Sequence, residues 1–187
     1  MAIAAGVFAV TLVHAVWYAP EMEVSDNSVA AAHTVAPVNG GEPERIKIPS
    51  LQIDANVQHV GIAKSGAVAV PSNFTDVAWY RLGSEPGQAG SAFIDGHVDN
   101  GLSLAGVFKH LGDIQPGADI YIETASSTEV HFKVTDVENY SVSDVPMADL
   151  TSTTGTPRLA LVTCEGAWVQ SARSYDHRLV VYATLAD

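Results

Sequence analysis

Beyond residue 20 the chain carries no long amphipathic helix, and its apolar residues recur at every second position in short runs. That period restricts it to β architecture, because side chains alternate between the two faces of a strand. Ile46 and Ile48 alternate with Arg45 and Lys47 until Pro49 breaks the run, and Leu51, Ile53, Ala55 and Val57 repeat at period two. Further strands are expected at 91–94, 119–124, 129–137, 158–164 and 178–184. Pro86-Gly87, Gly101, Gly112, Pro116-Gly117, Gly155 and Pro157 punctuate them as turns. Short helical turns are expected at 73–80 and 102–111. Many short strands at this spacing predict an all-β domain, either a closed barrel or a sandwich.

The first residues have another character. Residues 2–19 hold no formal charge and are dominated by Ala, Val, Leu and aromatics. At about 1.5 Å per residue such a helix just reaches across a hydrocarbon core of roughly 30 Å. Trp17 and Tyr18 stand where an interfacial aromatic belt is expected. A cleaved signal peptide is the competing reading, but it lacks a basic n-region and His14 interrupts the apolar run. Residues 1–19 are therefore read as a signal anchor, a hydrophobic helix that holds the chain to the membrane. Residues 20–44, without Lys or Arg, read as a flexible acidic linker; Val35 and Val38 leave room for an arm packed on the domain. Residues 45–187 form the folded domain. With only 9 Lys and Arg and a formal net charge of −12, the chain has no basic patch for nucleic acid.

Chemistry concentrates in three segments. Cys164 is the single cysteine, so no intrachain disulfide is possible. A lone cysteine by itself is more often a small buried hydrophobe than a nucleophile. Its context favours the nucleophile. The apolar run Leu159-Ala160-Leu161-Val162-Thr163 delivers Cys164 at its end, just before Gly166. Phe93-Ile94-Asp95-Gly96-His97-Val98-Asp99 presents His97 at a strand end, where catalytic groups often sit. Asp176-His177-Arg178 places Arg178 at the opening of an apolar strand, a costly position for a charge without a partner or a substrate.

The three segments, in this order, resemble the sortase family. Its members place a His after Gly at a strand end, a Thr-Leu-any-Thr-Cys motif on a later strand and an Arg near the start of the last strand. Here the motif reads Ala160-Leu161-Val162-Thr163-Cys164, with Ala160 in place of the first Thr. The stretch Ala78-Trp79-Tyr80-Arg81-Leu82-Gly83-Ser84-Glu85-Pro86-Gly87, followed by Gly-His-Val-Asp, is most similar to class F sortases. The resemblance, over about 45–183, implies a closed sortase-type barrel of about eight strands with short helices. It implies an extracytoplasmic cysteine transpeptidase that cleaves an LPXTG-like sorting motif. Cys164 would form an acyl thioester, His97 would shuttle the proton, and Arg178 would steady the oxyanion or the substrate backbone. Implied partners are surface proteins with sorting signals and an amine from a cell-wall precursor or a pilin lysine.

Thr163 and Asp99 are further candidates for substrate contact. Strict alternation turns Thr163 away from the Cys164 face, and Asp99 equally suits stabilisation of the Asn100-Gly101 turn. If Arg178 faces the site, Val180 and Tyr182 share its side and His177 does not. The remaining histidines show no ligand spacing, and Asp95, Asp99, Asp113 and Asp119 form no recognisable calcium loop, so neither metal nor other cofactor is expected. Three alternatives remain: a cysteine hydrolase of the same fold, an L,D-transpeptidase, whose Ser/Thr-His-Gly-Cys run is absent, and a non-catalytic surface-binding module.

Overall fold

The computed structural model describes residues 37–186 apart from positions 39, 101 and 103. The expected anchor at 1–19 and most of the expected linker lie outside the described residues. Eight strands close into a barrel. In chain order they are β1 (Pro43–Ile48), β2 (Ile53–Val60), β3 (Val77–Tyr80), β4 (Ser91–Gly96), β5 (Asp119–Thr124), β6 (Glu129–Ser141), β7 (Arg158–Val169) and β8 (Ser174–Leu185). Around the barrel the order is β1-β2-β3-β4-β7-β8-β6-β5, with β5 returning to β1. The β2–β3 and β4–β7 pairs are parallel and the others antiparallel. Closure gives every strand a neighbour on both sides along the barrel, while β7 beyond Val162 runs past the end of its pairing with β4.

Alternation supplies the core. Ile46 and Ile48 of β1, Ile120 and Ile122 of β5, and Leu159 and Leu161 of β7 all point into the barrel, where Phe108 and Phe132 fill the centre. The intervening Arg45 and Lys47 face outward and pair with Asp54 and Glu123. A second apolar layer covers the outside of β4, β7 and β8. There Phe93, Ala160, Val162 and Val180 pack under Leu150 of a single helical turn, α1 (Met147–Leu150). Ala160, where the family motif has Thr, is fully buried in that layer.

Four local expectations change. Residues 77–80 form a strand rather than a helical turn. Val77 and Trp79 enter the core, Ala78 is fully buried and Tyr80 packs on the outer layer, and an apolar run buried on both faces has no period to read. Among the described residues of the 102–111 segment the one helical turn is a 3-10 turn at Leu111–Asp113, at its end, beside buried Phe108 and Leu111. Gly166 does not end β7. The strand runs on to Val169 through an irregularity between Glu165 and Trp168, and Gly166 takes a φ of +87° there. Finally, β1 starts at Pro43 and Val38 exchanges hydrogen bonds with Gly87 and Gln88, so the end of the expected linker is seated on the domain.

Candidate active site

The extension of β7 and β8 into a long hairpin builds the site. On β7, Ala160 and Val162 belong to the outer layer, so Cys164 emerges on that outer face. Its partner across the hairpin is Arg178, which continues the outward row of Tyr182 and Val180. Arg178 therefore lies inside β8, four residues after its start, and not at the strand opening. Residues facing each other across antiparallel strands have Cα atoms about 5 Å apart. His97 follows the last residue of β4, which runs parallel beside β7.

Two contacts hold His97. Its Nε2 donates to the Pro71 carbonyl at 3.0 Å, because a carbonyl can only accept. In the neutral ring Nδ1 is then the unprotonated nitrogen. The Phe74 ring lies against the imidazole, centroid to centroid 4.7 Å. Gly96, the last residue of β4, allows a close approach on the other side. A Cβ there would stand 2.6 Å from the Phe108 ring, so only glycine lets that segment pass behind His97. The Phe108 amide donates to the His97 carbonyl at 3.0 Å and completes the brace.

A cleft of about 550 Å³ opens beside Cys164. His97, Cys164, Asp99, Phe74, Trp168 and Tyr175 are among its walls. Trp168 and Tyr175, from opposite arms of the hairpin, meet edge to face at 5.4 Å. Tyr175 donates its hydroxyl proton to Asp99 at 2.6 Å, and this bond raises the phenol to about 12. Lys109 stands 3.8 Å from the same carboxylate. Asp99 thus lies in the cleft as a shielded acid, 14% exposed.

Arg178 sits behind the wall. Its Nη1 donates to the carbonyls of Tyr175 (3.0 Å) and His177 (2.8 Å), and Nη2 donates to Ser174 Oγ (2.9 Å). Among the described residues it pairs with no carboxylate. Thr163 points the other way. It is 3% exposed, and its hydroxyl donates to the Gly96 carbonyl at 2.8 Å, joining β7 to the strand end that carries His97. His177 bonds Asp176 at 2.8 Å, and the Asp176 carboxylate also accepts the Ala167 amide.

The electrostatics keep the thiol protonated at rest. Burial raises Cys164 above the ordinary thiol value, Arg178 pulls it down, and Asp95 and Asp99 push it up again. Asp95 is the unexpected participant. Burial lifts it to about 7 against the pull of Arg178, and its Oδ1 is enclosed without a hydrogen-bond partner. It is absent from the sequence-derived set, although its place two residues before His97 puts it on the same face. Phe74, Trp168 and Tyr175 join the cleft through folding, and no local pattern marked them. No three acid, His or Cys side chains cluster to hold a metal among the described residues.

A thiol, an imidazole with one free nitrogen and a nearby guanidinium suit acyl transfer through a thioester. The comparisons with known proteins point the same way. The model of the Sortase domain matches residues 46–186. The fold is similar to Sortase A from Corynebacterium diphtheriae, with a TM-score of 0.59 and 19% identity over 80% of this chain and 63% of that one. It is also similar to a Sortase D5 transpeptidase from Clostridium perfringens (0.58, 19%, covering 78% and 79%). Sortase C-1 from Actinomyces oris has a TM-score of 0.59 at 22% identity, covering 76% and 73%. These three carry the class labels A, D and C; the likeness to class F rests on the sequence of residues 78–87 and the run that follows. No curated protein matches the sequence.

Proposed function

The chain belongs to the sortase family, and from that premise we propose that it is a cysteine transpeptidase acting through Cys164, His97 and Arg178. The observation that carries the reading is the placement of Cys164 and His97 in one cleft, with Arg178 opposite Cys164 across the hairpin. The reaction opens with transfer of the Cys164 proton to His97 Nδ1, the nitrogen that Pro71 leaves free. The thiolate attacks a peptide carbonyl and forms a tetrahedral oxyanion. Imidazolium then protonates the departing amine, the C–N bond breaks, and an acyl thioester remains on Cys164. An incoming amine attacks that thioester and gives its proton to Nδ1, and the thiolate departs as the new amide forms.

Arg178 stays protonated throughout, so it serves by charge and by donated hydrogen bonds. Three of its five donors secure the hairpin wall. Nε and one Nη2 hydrogen remain for the oxyanion or the substrate backbone. Asp99, as a carboxylate in the cleft, suits the approach of an ammonium acceptor. Thr163 acts from behind, by tying β7 to the base of His97.

The substrates assigned by this reading are LPXTG-like sorting signals of surface proteins, with an amine of the cell wall or a pilin lysine as acceptor. The family resemblance and the apolar run at 2–19 support a membrane-held enzyme working outside the cytoplasm. Incubation with an LPXTG-type peptide, with and without an added amine, tests the whole scheme by mass spectrometry. A thioester on Cys164 and an amine-linked product are expected, and neither is expected from Cys164→Ala. Undiminished turnover in that variant sinks the proposal; free acid alone at high amine makes the enzyme a hydrolase.

A further inference from the structure

Asp95 has no part in the scheme above, yet it stands on the reactive face. In the register of the sheet it lies between Ala78 of β3 and Val162 of β7. Cys164 is two residues beyond Val162, so one pleat repeat of about 7 Å separates their rows. Val162 faces Val180 and Cys164 faces Arg178, which sets Arg178 diagonally across from Asp95. Among the described residues Asp95 Oδ1 is enclosed and meets no donor, while the Arg178 guanidinium bonds two carbonyls and a hydroxyl but no carboxylate. One cation with two potential anions beside it is therefore built into the face.

We propose that Asp95 is a positioning acid that competes with the Cys164 thiolate for the charge of Arg178, so that the two anions form in opposition. Like charges this close disfavour each other's ionised form. The electrostatics agree with this placement: Arg178 lowers both groups, and Asp95 raises Cys164. The other ionisable groups on this face have partners of their own, and His97 keeps its Nδ1 for the thiol proton in parent and variant alike. Asp99 is held by Tyr175 and Lys109, and His97 donates to Pro71. The hydroxyls of Tyr140 on β6 and Tyr182 on β8 bond each other at 3.1 Å, with Tyr182 held un-ionised by burial. Tyr80 of β3 packs in the apolar layer, and Asp149 of α1 pairs with Arg158. Asp95 is thus the carboxyl on this face that is enclosed with an unpartnered oxygen, one pleat repeat from the Cys164 row.

The inference rests on Cys164 as the reactive thiol, and its test needs no turnover. Asp95→Asn keeps the shape and removes the charge. The rate of Cys164 alkylation by iodoacetamide reports the thiolate fraction. Near pH 5.5 variant and parent should react equally, because Asp95 is then uncharged. Through pH 7 their ratio should climb, reaching roughly three-fold or more in favour of the variant by about pH 8. A ratio that stays constant with pH overturns the proposal, since altered access scales every rate alike. Carboxyl carbon-13 NMR of the unsubstituted protein decides independently of whether the variant folds. An Asp95 midpoint near 7 is expected, and titration in the ordinary carboxylate range refutes the competition. A chain that cleaves no sorting peptide would remove the transpeptidase scheme and leave both readouts intact.

Discussion

Thr163 illustrates how one side chain supports chemistry it does not touch. Its hydroxyl bonds the Gly96 carbonyl inside the barrel, one residue from His97 and one from Cys164. Thr163→Val preserves the shape but leaves a buried carbonyl short of a donor, at a cost of about 1–3 kcal/mol. Denaturant unfolding should show that loss. Peptide cleavage should show a lowered kcat with little change in KM, because the defect is in the alignment of His97 with Cys164. A raised KM at unchanged kcat would instead restore Thr163 to substrate contact. The parity of a strand was enough to place this side chain on the inner face; its partner, 67 positions away, became visible only in the fold.

The β7–β8 hairpin is the element on which the site depends. Its strands run past Cys164 to Val169 and back from Ser174, and the extension carries Trp168 and Tyr175 to the cleft. Gly166 makes this possible. Its φ is +87°, and a Cβ there would lie 2.2 Å from Asp176 Oδ1. Gly166→Ala should therefore cost about 1–3 kcal/mol through strain and displacement of Asp176. It should also disturb the Cys164–Arg178 register, read as a changed alkylation rate of Cys164 together with a lowered Tm. An unaltered Tm would show that the hairpin absorbs the side chain. From sequence, the same glycine reads as the end of a strand, because a bulge and a turn demand the same residue. The strand at Val77–Tyr80 was illegible for the complementary reason: burial on both faces erases the alternation that identifies a strand.

Across the molecule two sets of carboxyls pull stability in opposite directions with pH. Asp54, Asp76, Asp119, Asp144 and Asp176 are held below the usual carboxylate value, by bonds from Arg45, Gln58, Lys133, Ser141 and His177 respectively. Their stabilisation is present above the unfolded value of about 4 and is lost as pH falls through their folded values. Asp95 has the reverse sign. Its folded value is raised to about 7, so its contribution is complete below about 4 and is lost as pH rises through 7. Calorimetry from pH 3 to 9 should find the highest Tm near pH 4 and a fall between about 4 and 7, where unfolding releases the Asp95 proton. Asp95→Asn should remove that fall, with a gain of up to roughly a few kcal/mol at pH 8. A parent Tm that rises as steeply as the variant's from pH 5 to 8 would rule out a buried, neutral Asp95.

The sequence by itself determined the all-β class, the inward-facing residues of most strands and the family, together with the three segments that hold His97, Cys164 and Arg178. Those properties are local: they depend on a two-residue period, on turn residues and on short motifs. Tertiary structure alone decided the order of the strands around the barrel, the reach of the hairpin and the walls of the cleft. It also decided that Arg178 secures the Tyr175 and His177 carbonyls, that Pro71 leaves His97 with a free Nδ1, and that Asp95 is enclosed beside Cys164. Each of these depends on desolvation and on distances between residues far apart in the chain, and burial is a property that no short stretch of sequence possesses alone.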